Sequence, residues 1–303
     1  MNTEPEITPN FIDLEKLVAS KNPRLLKFIP KFVFSYLRRL IHLDAINETV
    51  YQYRDEKGLL FVKRVLERLE VKMDAVWLDP DGKLQPMTED LLRKLLPPES
   101  RYIVASNHPL GGLDGMVLLY SIGKVKPDII APVNDLLLSL PGMKSLFIPI
   151  NKHGKNTDNM EIFKQTFASD KTILYFPAGL VSRKQKKGII RDLDWKKTFI
   201  TQARKFQRDI YPVFVSGRNS NFFYNLAKFR KRLGIKANFE MILLPDEMFK
   251  QKDKTVRLVF GNPIPYTLFD HSRSDAEWAE YVKNVVYDIG EKARKQFNSL
   301  PPR

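Results

Sequence analysis

Hydrophobic and polar positions change period several times along this chain, and each change predicts an element. Between Lys21 and His42 the apolar residues Leu25, Ile29, Phe32, Val33, Tyr36 and Leu40 recur at helical spacing. That spacing predicts an amphipathic helix with one apolar stripe. Pro30 is expected to break or kink it, because proline lacks the N–H an interior turn needs. Leu59, Val62, Val65, Leu66 and Leu69 predict a second helix over 57–69. From 71 to 84 the pattern reads as a hairpin turning at Pro80-Asp81-Gly82. A short helix follows to Leu96 and is stopped by Pro97-Pro98.

Beyond that point strand and helix patterns alternate. Strands are predicted at 101–106, 128–133, 146–150, 172–177, 210–216 and 255–260. Helices are predicted at 114–123, 158–168, 194–207, 219–233 and 276–297. The alternation predicts an α/β layered fold: a largely parallel mixed sheet flanked by helices, with an N-terminal helical appendage. Residues 1–70 are expected to form the basic helical region and 71–303 the α/β domain.

Composition narrows the classes. A hydrophobic content of 43% with 11% aromatics excludes wholesale disorder in a chain of 303 residues. Cysteine is absent, which excludes disulfides and thiolate chemistry. The first twenty residues are polar and acidic, so no secretory leader is expected. No apolar run reaches the ~18 residues of a membrane-spanning helix. The net charge of +15 calls for an acidic partner or surface, without choosing among nucleic acid, anionic lipid, a phosphorylated cofactor and an acidic carrier protein.

The stretch 21–41 holds Lys21, Arg24, Lys27, Lys31, Arg38 and Arg39 and no acid. It reads either as a basic helix packed on the core or as one lying on a membrane. In the second reading Arg24, Lys27, Phe28, Lys31, Phe32, Arg38 and Arg39 make the contact. The run 183–208 carries ten Lys or Arg and two Asp, and reads equally as a solvated face or an anion-binding one. Phe222-Phe223-Tyr224, beside Lys228, Arg230, Lys231 and Arg232, is open between interface and core in the same way.

The segment most suggestive of chemistry is Ser106-Asn107-His108-Pro109-Leu110-Gly111-Gly112-Leu113-Asp114-Gly115, directly after a predicted strand. An imidazole takes a proton near neutral pH, and a nearby carboxylate fixes its tautomer and stabilises its cation. Residues six apart do not meet on a helix, so His108 and Asp114 meet only if the glycine pair turns the chain. The N–H groups of Gly111 and Gly112 are then candidate donors to an oxyanion. The alternative makes Asp114 a plain helix cap and His108 an ordinary loop residue. No Gly-x-Ser-x-Gly elbow and no metal-ligand spacing accompany it.

Two later segments have a related form. Phe147-Ile148-Pro149-Ile150-Asn151-Lys152 is a strand ending in a cation, and Phe176-Pro177-Ala178-Gly179-Leu180-Val181-Ser182-Arg183 leads from a strand into a glycine turn. With Ile210-Tyr211-Pro212-Val213 after them, the order resembles the four sequence blocks of the glycerolipid acyltransferases, the lysophosphatidic acid acyltransferase-like superfamily. The resemblance covers about Val104 to Pro265. It implies that His108 is a general base, Asp114 its orienting acid, and Asn107, Lys152, Gly179, Ser182 and Arg183 acceptor-binding residues.

Three departures stand out. His108 and Asp114 are one residue further apart than the family spacing. Ala178 replaces a Glu, and Val181 stands where an Arg serves a phosphorylated acceptor, with Arg183 two positions on. The pattern resembles a divergent bacterial branch associated with ornithine or glycine lipids. It implies transfer from acyl carrier protein or acyl-CoA to a lysolipid or amino-acid lipid, with no bound cofactor. It also implies a peripheral enzyme on an anionic surface, at the cytoplasmic face of the inner membrane. A lysophospholipase or thioesterase using the same base, and a non-catalytic binder of anionic membranes, are the alternatives. Nucleic-acid binding ranks last, since no recognised module is present.

Overall fold

The computed structural model describes residues 30–133, 137–149, 157–235 and 237–299. Its centre is a six-stranded mixed sheet in the order β2-β1-β10-β9-β3-β6. The strands are β1 (Lys72–Leu78), β2 (Leu84–Pro86), β3 (Tyr102–Ser106), β6 (Ile173–Tyr175), β9 (Asp209–Val215) and β10 (Thr255–Phe260). β3 runs parallel to both β6 and β9, β1 runs parallel to β10, and the β9–β10 and β1–β2 pairs are antiparallel. All five residues of β3 are buried, as a strand covered on both faces requires.

The two faces carry separate apolar layers. On one, α5 (Gly112–Gly123) buries Leu113, Val117, Leu118 and Leu119 against Val104, Tyr211 and Val213. Phe61, Val62 and Leu66 of α3 (Leu59–Arg68) enter the same cluster, on the near side of the boundary expected at residue 70. On the other face, α7 (Thr198–Lys205) and α10 (Asp275–Ser299) pack Phe199, Ile200, Trp278, Val282 and Val286 on Ile103, Ala105 and Ile210.

Several expectations are revised. The strands expected over 128–133 and 146–150 form β4 (Ala131–Val133) and β5 (Phe147–Pro149), a parallel pair outside the main sheet that touches it by an Ile130–Ile173 bridge. Pro30 stands at the N-cap of α1 (Lys31–Leu40), and the part of the expected helix before it lies outside the described residues. An unforeseen helix, α2 (Leu43–Gln52), begins after His42 takes a left-handed φ of 54°. The basic run 183–208 contains a small hairpin, β7 (Arg183–Lys184) with β8 (Ile190–Arg191). α4 (Glu89–Leu95), α6 (Thr157–Ala168), α8 (Asn221–Arg232) and α9 (Leu244–Phe249) complete the helices. Among the described residues no helix is long and apolar enough to cross a membrane. The carboxyl ends of the parallel strands β3, β6 and β9 lie side by side, and the loops leaving them form one edge, where sheets of this kind gather their sites.

Candidate active site

His108 leaves the end of β3 on a loop that turns sharply into α5. Gly111 takes φ 82° and ψ −130°, a conformation open to glycine and strained for other residues. This bend brings Asp114, the third residue of α5, back onto the loop. His108 Nδ1 lies 3.0 Å from Asp114 Oδ2, with the carboxylate fully buried and the imidazole 19% exposed. The extra residue between them is absorbed by the glycine turn.

Asp114 Oδ2 also accepts the N–H groups of Leu110 at 2.8 Å and Gly111 at 3.0 Å. Two backbone donors on that oxygen, with the imidazole close beside it, suit an ionised carboxylate. Burial pushes the Asp114 carboxyl above its ordinary range, while His108 and the two backbone donors pull it back down. A more basic carboxylate draws the Nδ1 proton more strongly and leaves Nε2 as the free base. The contact is close but bent, short of a linear hydrogen bond, and Asp114 Oδ1 is buried without a partner. Such pairs tighten when substrate binds.

The ring is held from below as well. Phe176, at the end of β6, stacks on His108 with ring centres 4.2 Å apart. The His108 N–H donates to Asp192 Oδ1 at 3.2 Å, and its carbonyl accepts the Ser182 N–H at 2.8 Å. Asp192 is itself fully buried and accepts from the Ser182 hydroxyl at 2.5 Å and from Trp195 Nε1 at 2.9 Å. This carboxylate ties three loops together and escaped the sequence reading. Its partners lie 84 and 10 residues away, so only its place beside the third block hinted at it. Asp192→Ala is expected to cost on the order of 3 kcal/mol, because three buried donors lose their acceptor. Urea unfolding measures it, and an unchanged midpoint would contradict this role.

The remaining expected site residues fall as follows. Asn107 commits both ends of its amide to Val215, donating to the carbonyl at 2.9 Å and accepting the N–H at 2.7 Å, so it clamps β3 to β9 rather than facing an acceptor. Gly111 makes the turn, but its N–H is taken by Asp114, which removes it as an oxyanion donor. Gly112 opens α5 with its N–H at the helix start. Gly179 turns the chain at φ 63°, and Ser182 fastens this block to His108. Arg183 does not reach toward an acceptor. Its guanidinium is 11% exposed and pairs at 2.9 Å with the buried Glu240, which also holds Arg230. Val181 is fully buried against Phe223, Tyr224 and Leu243, and Ala178 is buried too. Lys152 and His153 lie outside the described residues, as do Arg24, Lys27 and Phe28. Lys31 starts α1, where Phe32, Arg38 and Arg39 are exposed, and Arg38 pairs with Asp44 at 3.0 Å.

One further side chain stands out. Asn219, in the loop after β9, is 2% exposed, and neither atom of its amide has a partner. Its own N–H donates to the Tyr224 hydroxyl at 3.1 Å. Gly217 beside it approaches Leu110 so closely that a Cβ there would lie 2.9 Å from that side chain. Among the described residues no three His, Cys, Asp or Glu side chains converge as a metal ion requires.

The site thus sets a buried carboxylate behind an imidazole at the carboxyl end of a strand in a mixed α/β sheet. Residues 16–293 match the model of a family described as acyltransferase. The chain is 44% identical over 280 residues to a lyso-glycine lipid O-acyltransferase of Bacteroides thetaiotaomicron, covering 92% of this chain and 97% of that one. It is 42% identical over 280 residues to a lyso-glycine lipid O-acyltransferase of Phocaeicola vulgatus, covering 92% and 95%. Among solved structures it is similar to the 1-acyl-sn-glycerophosphate acyltransferase PlsC of Thermotoga maritima, with a TM-score of 0.46 and 14% identity over 90% of this chain and 99% of that one. This chain belongs to the acyltransferase family.

Proposed function

We propose that this acyltransferase moves a fatty acyl group from a thioester, carried by acyl carrier protein or CoA, to the hydroxyl of an amino-acid lysolipid. The glycine lysolipid named for its relatives is the leading acceptor. The observation that carries the reading is the 3.0 Å approach of His108 Nδ1 to the buried Asp114 carboxylate. His108 Nε2 removes the hydroxyl proton as that oxygen attacks the thioester carbonyl carbon. Asp114 stabilises the imidazolium through Nδ1–H. The Gly112 N–H, at the positive end of α5, is the candidate donor to the tetrahedral oxyanion. Collapse breaks the C–S bond, and the departing thiolate takes the proton back from His108.

The acceptor reading is supported by what replaces the phosphate-reading residues. Val181 sits in a closed apolar cluster, so no cation stands at that position, and Arg183 is held by Glu240, which it shares with Arg230. A phosphate there would lack the guanidinium fork that an Arg at 181 would supply. The +15 charge and the acid-free N-terminal stretch support peripheral work on an anionic membrane. In a thiol-release assay with product analysis, lyso-glycine lipid should be acylated at least ~100-fold faster than lysophosphatidate. The reverse preference would overturn the acceptor assignment. Free fatty acid whatever the acceptor would make the protein a hydrolase.

A further inference from the structure

Helix α8 carries large apolar side chains on its outer face. Phe223, Tyr224 and Ala227 are buried, which fixes the inner side of the helix. Phe222 at 62% exposure, Phe229 at 57% and Leu233, just past the helix end, at 58% point the other way. At 3.6 residues per turn, positions separated by seven and eleven fall within roughly 40° of one another. They therefore form one ridge, roughly 16 Å long at 1.5 Å per residue. Exposed Ile235, Phe239 and Ile242 continue the apolar surface beyond the helix. Lys228, Lys231 and Arg232 are exposed on the same helix, and its twelve residues include no acid.

A soluble helix reverses this arrangement, with apolar residues inward and polar ones outward. Here both faces carry apolar residues, and Lys228 and Arg232 lie along one side of the outer ridge, as in helices at a lipid–water boundary. We propose that α8, with Leu233, Ile235, Phe239 and Ile242 after it, forms a surface by which this protein docks on an anionic bilayer. The proposal rests on the reading that the acceptor is a membrane lipid, and it adds a second contact to the exposed Phe32 and Tyr36 of α1.

Charge selects this occupant over a second copy of the chain. A symmetric dimer through α8 would gather Lys228 and Arg232 of both copies at one interface with no acid on the helix to answer them. An anionic surface instead attracts each cation while its hydrocarbon accepts the ridge. The position also suits the chemistry. The buried side of α8 packs on Val181, and Tyr224 of that side holds the loop that carries Asn219. The helix that carries the docked face is thus packed on the block that Ser182 fastens to His108.

The absence of cysteine allows a clean test on the full chain. Phe229→Cys, and Lys292→Cys on α10 as a control, are each labelled with a polarity-sensitive fluorophore. Both are mixed with phosphatidylglycerol-containing vesicles that hold no substrate. The label at position 229 should shift to the blue and the one at 292 should not. The triple variant Phe222→Ser, Phe229→Ser, Leu233→Ser should sediment with those vesicles at least tenfold more weakly, with an unchanged unfolding midpoint. An unshifted label at 229, a shift seen only when an acidic carrier protein is added, or wild-type sedimentation of the triple variant would overturn the proposal. None of these readouts requires acyl transfer, so a failure of the proposed function leaves this test intact.

Discussion

His108→Ala should lower acyl transfer by about 10²–10⁴-fold while leaving the protein folded. In the proposed mechanism the imidazole takes the acceptor proton, and it lies with Nδ1 3.0 Å from Asp114 and its ring stacked on Phe176. Without it, the hydroxyl must attack the thioester unaided or lose its proton to water. What survives is the rate provided by binding and by oxyanion donors. The structural cost is small, since the ring is partly exposed and its stacking contact is worth about 0.5–1.5 kcal/mol. Thiol release coupled to lipid mass spectrometry measures the activity, and urea unfolding reports the fold. Near-wild-type transfer by the folded variant would remove His108 from the mechanism.

Asp114→Asn is expected to cost nearly as much activity with less loss of structure than Asp114→Ala. The amide oxygen can still accept the N–H groups of Leu110 and Gly111, so the turn persists. That oxygen is the one beside Nδ1, so Asn keeps the contact but removes the negative charge that stabilises the imidazolium. A base whose cation has lost its counter-charge is weaker, so a loss of about 10²–10⁴-fold follows. Asp114→Ala instead leaves two buried backbone donors without an acceptor, at about 1–3 kcal/mol each. An Asn variant within twofold of wild type would mean that Asp114 is only a helix cap.

Much of this was legible in the sequence where the signal is local. The apolar run Tyr102 to Ala105 of β3, the histidine just past its end and the glycine pair all lie within one short stretch, and backbone preferences connect them. The loss of Glu and Arg at Ala178 and Val181 was equally readable, because it is a matter of residue type. Partners distant in sequence were not. Arg183 was visible as a cation, but Glu240, 57 residues on, decides where its guanidinium is held. Asp192 joins His108 only once the β7–β8 hairpin folds back. The strands at 131–133 and 147–149 have the composition of sheet strands, yet their pairing outside the sheet depends on the whole topology. On α8, adjacent Phe222 and Phe223 are chemically identical, and only the packed helix shows which one faces outward.

A double-substitution cycle on kcat/KM tests most directly whether His108 and Asp114 act as one unit. His108→Ala, Asp114→Asn and the pair are compared with the unaltered enzyme, using a fatty thioester and lyso-glycine lipid. The paired variant should be no worse than His108→Ala alone, within about threefold, because the carboxylate acts only through the imidazole. Losses that multiply, or transfer by His108→Ala within tenfold of the unaltered enzyme, would contradict the account.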